Sequence, residues 1–231
     1  SPPQAPPTLL GDCAGGAAMM AWCISRALLP AQREGRGQVV DAASVDGSSN
    51  RASCARTCYQ AGQKSEQRGS GGMEGAAPWN RSYRCADEGY ITLCSVEARF
   101  YAVLLEKLDL GRNPLFADSE QWDTTSWPAQ IAHLQTVFGS QSRQHWCDLL
   151  EGSDACFAPV LNYGEVHQHP HNASRKSYVE VDGQWHPQPA PRFSVTAAQP
   201  AWADATRPGS RTVLKSLGIE ADLLDAARVP S

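Results

Sequence analysis

The sequence lacks the features that mark membrane proteins, disulfide scaffolds and nucleic-acid binders. Its longest apolar stretch, at about residues 17–29, is interrupted by Ser25 and Arg26 and is too short to span a bilayer. The eight cysteines form no CxxC pair, and no apolar segment follows a basic start at the N-terminus. The net charge of −4 lies in short patches of mixed sign, and the arginine clusters are not interleaved with aromatic residues. We therefore predict a reduced, cytoplasmic protein that acts on small molecules, without a membrane segment or a nucleic-acid partner.

The first 60 residues alternate between helical and strand patterns. Apolar residues recur near helical spacing from Gly15 onward, and this helix is predicted to fade near residues 34–37. Residues 38–42 contain the β-branched pair Val39 and Val40 and follow Gly37, which predicts a strand. Another helix is predicted over about residues 44–60. The order of helix, strand and helix indicates an α/β fold.

The rest of the chain predicts a second α/β region. Residues 63–77 are rich in glycine and polar groups, which is typical of a linker or a flexible loop. The patterns that follow predict a hairpin over 82–94, a helix after Glu97, helices over 126–138 and 142–150, a strand over 155–161, a second hairpin over 178–185, an extended proline-rich tail from Pro187, and a final helix over 210–227 with a break at Gly218.

Asp12 is the first candidate for chemistry. It stands among Gly11, Gly15 and Gly16 just before a helical run. Small residues there let a ligand approach the backbone, where unpaired N–H groups and the positive end of the helix dipole face it. The alternative is an ordinary N-cap, and the local pattern by itself favours that alternative, because Asp is among the commonest capping residues.

Glu97 is the second candidate acid. It follows the predicted hairpin directly and precedes an amphipathic run that contains Phe100, Val103 and Leu104. It is therefore predicted to lie in the first turn of that helix or just before it. A favourable interaction with the helix dipole would by itself explain a Glu at this position.

Three further groups have a structural and a functional interpretation. The run of His167, His169 and His171 has the residue type of a metal site, but solvated loop histidines are commoner and no acid or thiolate is spaced with them, so we predict no metal. Two cysteines, Cys54 and Cys58, are more typical of small packed residues than of a pair or a ligand set. Four tryptophans are predicted to lie in the core or at a domain contact: Trp22, Trp127, Trp146 and Trp185.

Several blocks of the sequence together resemble the family III CoA-transferases, and more closely the alpha-methylacyl-CoA racemases within that family. The blocks are Leu10-Gly11-Asp12 with Gly15-Gly16, Gly35-Arg36-Gly37-Gln38-Val39-Val40-Asp41-Ala42 with Val45-Asp46-Gly47-Ser48, Val96-Glu97 with Phe100-Tyr101, and Ser153-Asp154-Ala155-Cys156 with Pro159-Val160. They occur in the family's order and cover nearly the whole chain. The resemblance implies that residues 1–44 end a large CoA-binding domain, 45–78 form a linker helix and glycine-rich loop, 79–186 form a small α/β domain, and 187–231 form an extended return linker and a C-terminal helix.

The resemblance also implies roles for particular residues. Asp12 matches the family's reacting carboxylate, which is a nucleophile in transferases and a proton-transfer group in racemases. Glu97 matches an acid, typical of racemases, that hydrogen-bonds a catalytic histidine. Backbone groups at Gly11, Cys13 and Gly15 are expected near the acyl thioester and the enolate oxygen. Coenzyme A enters as part of the substrate, no other cofactor is required, and the resemblance implies an interlaced homodimer.

The resemblance leaves three functions open. They are a racemase of 2-methylacyl-CoA thioesters, a transferase that moves CoA between carboxylic acids, and an inactive fragment that serves binding or assembly. The segment around Glu97 favours the racemase. In the family the partner histidine and a nucleotide-binding-like sheet lie upstream of the segment that matches Ser1, so we expect this chain by itself to be inactive or nearly so.

Overall fold

A computed structural model describes residues 9–198 and 210–226. The described residues divide into two compact units, one ending at Val160 and the other beginning at Leu161. The family-based divisions at 44/45, 78/79 and 186/187 stay predictions. Residues 199–209 of the predicted extended tail lie outside the described residues, as do the first eight residues of the predicted first segment.

The first unit begins with one long helical segment. Residues Leu9–Ala18 form π-helical turns that continue into helix α1, Met19–Glu34. The helix therefore begins six residues before the predicted position at Gly15. It ends where predicted, at Gly35, which has φ 69° and donates its N–H to the Ala31 carbonyl at 2.9 Å.

The strand predicted over residues 38–42 is wrong. This segment is irregular, and Val39 is 95% exposed. A strand needs a neighbour that takes up its backbone hydrogen bonds, and within the described residues none pairs with this segment. The predicted helix over 44–60 forms as two helices, α2 over Ser44–Arg51 and α3 over Ser53–Gln60, which meet at Ala52.

A three-stranded antiparallel sheet organises the rest of the first unit. Strand β1, Ser82–Arg84, pairs with β2, Tyr90–Leu93, and β2 also pairs with β3, Phe157–Val160. The turn between β1 and β2 contains Glu88 at φ 64° followed by Gly89, so the predicted hairpin is confirmed. Contacts between distant segments, rather than the hairpin alone, bring β3 beside β2.

Helices cover the sheet and close the core of this unit. They are α4 Ala98–Lys107, α5 Pro114–Ala117, α6 Trp127–Phe138 and α7 Arg143–Leu150. The fully buried side chains include Trp79, Tyr83, Ile91, Leu93, Leu104, Leu134, Phe138 and Leu150. The predicted helices α4, α6 and α7 are confirmed, and so is the core position of Trp127 and Trp146. The short helix α5 was not predicted.

The second unit contains short elements. They are α8 Pro170–Ser174, β4 Tyr178–Val181, β5 Gln184–Pro187, α9 Ser210–Ser216 and α10 Ala221–Ala226. Strands β4 and β5 pair antiparallel around Asp182 and Gly183, which confirms the second hairpin. The final helix forms as α9 and α10 with Gly218 at φ 83° between them, as the break predicted. The mixed α/β fold class is confirmed.

Two of the four predicted core tryptophans are exposed. Trp22 on α1 is 60% exposed and Trp185 on β5 is 47% exposed, so neither lies in a core. On α1 the neighbouring Ile24, Leu28 and Leu29 are exposed as well. Contact of these side chains with another domain stays a prediction. In the part of the chain that the structure describes, no helix has the length and apolar character needed to cross a membrane.

Candidate active site

Asp12 lies in the first turn of the π-helical segment Leu9–Ala18. Because this segment begins at Leu9, Asp12 follows the helix start, and the N-cap interpretation does not apply. The Asp12 side chain is exposed, the neighbouring Cys13 is exposed, and Gly11 is half-buried with no atom within 4 Å of an added Cβ. A carboxylate in this turn faces the positive end of the helix dipole and backbone N–H groups without intrahelical partners.

Glycines hold the Asp12 segment against helix α2. Gly15 and Gly16 are buried, and a Cβ placed at Gly47 would overlap the carbonyl oxygen of Gly15. A Cβ at Gly15 would lie 2.8 Å from the backbone nitrogen of Ser48. These glycines allow two backbones to approach more closely than side chains permit. The turn that carries Asp12 is therefore fixed by a contact with residues more than 30 positions away.

Glu97 is the residue that precedes helix α4. Its carbonyl accepts hydrogen bonds from the N–H groups of Phe100 at 2.9 Å and Tyr101 at 3.0 Å. Its side chain makes no capping hydrogen bond and is exposed. The predicted position just before the helix is confirmed. The carboxylate is not used by the helix and is available to another group.

The core holds the residues that lead to Glu97. The Gln121 side-chain amide donates to the carbonyls of Ser95 and Val96, both at 2.9 Å. Buried Ser95 donates its hydroxyl to the Ala155 carbonyl at 2.7 Å. The Gln121 carbonyl in turn accepts hydrogen bonds from the indole N–H groups of two tryptophans, Trp79 and Trp127, each at 3.0 Å. Glu97 thus extends from an anchored backbone, although its side chain faces solvent.

Glu97 lies close to a pair of thiols. The pKa of the Cys156 thiol is raised by its partial burial and further by the charges of Glu97, Cys94 and Asp154, whereas Arg99 opposes the shift. The Cys94 N–H donates to the Cys156 carbonyl at 2.9 Å. Sequence reasoning missed this thiol pair, and only the register of β2 and β3 reveals it.

The two candidate acids are not joined directly. Within residues 9–198 and 210–226, no hydrogen bond or ion pair links Asp12 with Glu97. A cavity of about 920 Å³ lies between α3 and the glycine-rich loop, and its lining includes Arg56, Tyr59 and Lys64 but neither acid.

Two histidines have structural partners in the first unit. The His133 Nε2 lies 3.3 Å from the Asn113 amide nitrogen, and its ring packs edge-on against Phe116. His145 packs edge-on against Trp146. Among the described residues there is no group of three or more His, Cys, Asp or Glu side chains that could hold a metal ion.

Comparison with known proteins identifies the family of this chain. The model of "CoA-transferase family III" matches residues 1–211. The chain belongs to CoA-transferase family III. This is an enzyme family, and the resemblance carried by the Asp12 and Glu97 blocks is thereby confirmed.

Two mammalian relatives are similar to most of this chain. The alpha-methylacyl-CoA racemase of Mus musculus is 34% identical over 213 residues, which cover 91% of this chain and 55% of the relative. The alpha-methylacyl-CoA racemase of Homo sapiens is 34% identical over 201 residues, which cover 87% of this chain and 52% of the relative. This chain thus spans about half the length of the curated relatives it matches.

A solved structure confirms the family III fold. The protein Rv3272 of Mycobacterium tuberculosis superimposes with a TM-score of 0.64 at 20% identity, over 85% of this chain and 51% of that one. At this identity the similarity concerns the fold alone.

Proposed function

We propose that the whole protein is a racemase or epimerase of 2-methylacyl-CoA thioesters. The observation that carries the proposal is the exposed Asp12 carboxylate in the first turn of a helix, beside the accessible backbone of Gly11 and Cys13. The 34% identity to two proteins named alpha-methylacyl-CoA racemase supports this choice within the family.

In the proposed reaction Asp12 removes the proton alpha to the thioester carbonyl. Abstraction requires a base within hydrogen-bond reach and donors for the oxygen on which the enolate charge develops. The helix start that carries Asp12 supplies such donors through its unpaired N–H groups and dipole. Gly11 and Cys13 are the backbone positions we assign to the thioester. We also assign the Gly15 backbone to this region, where the residue packs against α2.

Racemisation requires a second acid–base group on the opposite face of the alpha carbon. We propose that Glu97 orients a histidine in that role, because its carboxylate is exposed and makes no capping bond. His133 and His145 are engaged with Asn113, Phe116 and Trp146, so we do not assign either of them to this role. We therefore propose that this chain alone has little exchange activity.

The remaining proposals concern the assembly and its surroundings. We propose a homodimer in which the site forms between subunits, a cytoplasmic location, and no cofactor beyond the CoA carried by the substrate. Light scattering tests the homodimer, since a monomeric mass at micromolar concentration would contradict it.

CoA transfer between carboxylic acids is the second candidate, favoured by the family description itself. In that reaction the Asp12 carboxylate attacks the thioester carbonyl and expels the CoA thiolate, which leaves an acyl-aspartyl anhydride. The thiolate then attacks the Asp12 carbonyl, which releases the donor acid and forms aspartyl-CoA. The acceptor carboxylate repeats the two steps in reverse, so it leaves as acyl-CoA and Asp12 is restored. The same exposed carboxylate serves both reactions, so an experiment must separate them. An inactive binding or assembly module is the third candidate.

The deciding experiment follows the alpha proton in the whole protein. A 2-methylacyl-CoA labelled with deuterium at the alpha carbon is incubated with the protein, with and without an acceptor carboxylic acid. We expect loss of deuterium without the acceptor, and loss of that exchange in Asp12→Asn. The matched control is Asp222→Asn, because Asp222 is also an exposed acid in the first turn of a helix. Transfer of CoA to the acceptor without loss of deuterium would show that the protein is a transferase and not a racemase. If neither deuterium loss nor CoA transfer occurs, the third candidate, a binding or assembly module, remains.

A further inference from the structure

The strand register places Cys94 opposite Cys156. Leu93 at the end of β2 is the partner of Phe157 at the start of β3. In an antiparallel pair the next residues in each direction are Cys94 and Cys156. The Cys94 N–H donates to the Cys156 carbonyl at 2.9 Å, so the two backbones stay in contact here, although Cys156 precedes β3 and has φ 50°.

The Cys94 thiol lies on the outer side of the sheet. Side chains alternate along a strand, and Ile91 and Leu93 of β2 point into the core, where they are 0% and 1% exposed. Cys94 therefore points outward and is exposed, and Cys156 is half-buried. After burial and the charge of Glu97, the charge of Cys94 also contributes to the raised pKa of the Cys156 thiol.

The backbone spacing meets the requirement for a disulfide bond. The 2.9 Å hydrogen bond between the Cys94 nitrogen and the Cys156 carbonyl oxygen, together with standard bond lengths, keeps their Cα atoms at most about 6.8 Å apart. Disulfides join residues whose Cα atoms are about 4.4–6.8 Å apart, most often about 5.5–6 Å.

We propose that Cys94 and Cys156 are an oxidation site that forms a reversible disulfide beside Glu97. Hydrogen peroxide is the oxidant. The exposed Cys94 thiolate attacks one peroxide oxygen, the O–O bond breaks, and the products are a Cys94 sulfenic acid and water after proton uptake. The Cys156 thiolate then attacks the Cys94 sulfur, the S–O bond breaks, and a second water leaves. The two thiols together lose two electrons and two protons to one peroxide, and a thiol reductant reverses the change.

A second thiol pair provides an internal comparison. Cys85 and Cys147 also lie near each other, but they are only 4% and 8% exposed. Burial, and secondarily the charge of Asp87, raise the pKa of Cys85 to about 11. A buried thiol that resists ionisation reacts slowly with peroxide. The structure therefore predicts oxidation of the pair that contains the exposed Cys94 and protection of the pair in which both thiols are buried.

Peptide mapping of the folded chain tests the proposal. The protein is treated with one equivalent of hydrogen peroxide at neutral pH, its free thiols are alkylated, and it is digested with trypsin and a glutamate-specific protease without reduction. Cleavage after Glu88 and Glu151 separates Cys94 from Cys85 and Cys156 from Cys147. We expect a cross-linked product of residues 89–97 and 152–165 that lacks two hydrogens and disappears on treatment with dithiothreitol.

Variants serve as controls for this mapping. Cys94→Ser must abolish the cross-linked product, and Cys54→Ser, which removes an exposed cysteine on α3, must leave its yield unchanged. The proposal is overturned if Cys94 is oxidised without joining Cys156, or if the product joins Cys85 to Cys147 instead. It does not depend on the proposed racemase activity, because mapping requires no turnover.

Discussion

Replacing Gly47 with alanine tests the contact that positions Asp12. An added Cβ would overlap the Gly15 carbonyl oxygen and come within 3.0 Å of the Gly15 Cα, so one backbone must move away from the other. Overpacking costs about 1–3 kcal/mol, and a clash with backbone atoms, which no side-chain rotation relieves, belongs to the upper part of that range, about 2–3 kcal/mol. Alanine is favoured over glycine inside a helix by about 1 kcal/mol, which offsets part of this cost. We expect a net loss of about 1–2 kcal/mol in the free energy that holds α2 against the Asp12 segment.

Hydrogen–deuterium exchange followed by mass spectrometry measures this local loss. A change of about 1–2 kcal/mol makes the equilibrium constant for local opening about 5- to 30-fold larger. The amide exchange rates in residues 9–18 and 44–51 should therefore rise by about 5- to 30-fold. Residues of the sheet and of α6 should exchange as in the unmodified chain, because they take no part in this contact.

Gly11→Ala is the matched control for Gly47→Ala. Gly11 lies in the same helical segment as Gly15, but an added Cβ there has no atom within 4 Å. Without a clash, alanine should slow local exchange through its helix propensity, worth about 0.5–1 kcal/mol. If Gly47→Ala exchanges no faster than the unmodified chain, the close approach to Gly15 does not hold the segment and the reasoning is refuted.

Two further predictions concern the core of the first unit. Leu134 is fully buried on α6, so Leu134→Ala should lower the free energy of unfolding in urea by about 2–5 kcal/mol. Leu217→Ala, at a position 71% exposed, should change it by less than about 0.5 kcal/mol, and similar losses at both sites would contradict the assigned core. The pKa of Cys85 is raised from 9.0 to about 11, chiefly by burial, so the folded state keeps this thiol neutral where the unfolded state ionises it. The stability that the neutral Cys85 thiol contributes is therefore complete below pH 9 and is lost as the pH rises through 11. Urea unfolding between pH 8 and pH 11 should show a steeper decline in the unmodified chain than in Cys85→Ala, and equal slopes would refute the raised pKa.

The sequence by itself determined most elements between residues 79 and 187. Apolar spacing located α4, α6 and α7, and alternation around Asp87-Glu88-Gly89 and Asp182-Gly183 located both hairpins. These features depend on side chains within a few positions of one another, so the local pattern contains the necessary information. The ordered blocks around Asp12 and Glu97 likewise indicate the family from the sequence alone, and the match to the family model confirms it.

Only the tertiary structure decided which distant segments meet. Residues 38–42 have the composition of a strand but form none. The side chain of Trp22 on α1 is apolar but exposed. Strand formation and side-chain burial both depend on whether another segment lies alongside. The contact of Gly47 with Gly15 and the pairing of Cys94 with Cys156 are also long-range. Local sequence sets backbone preference, whereas burial and pairing depend on partners far along the chain, and a one-dimensional pattern does not specify them.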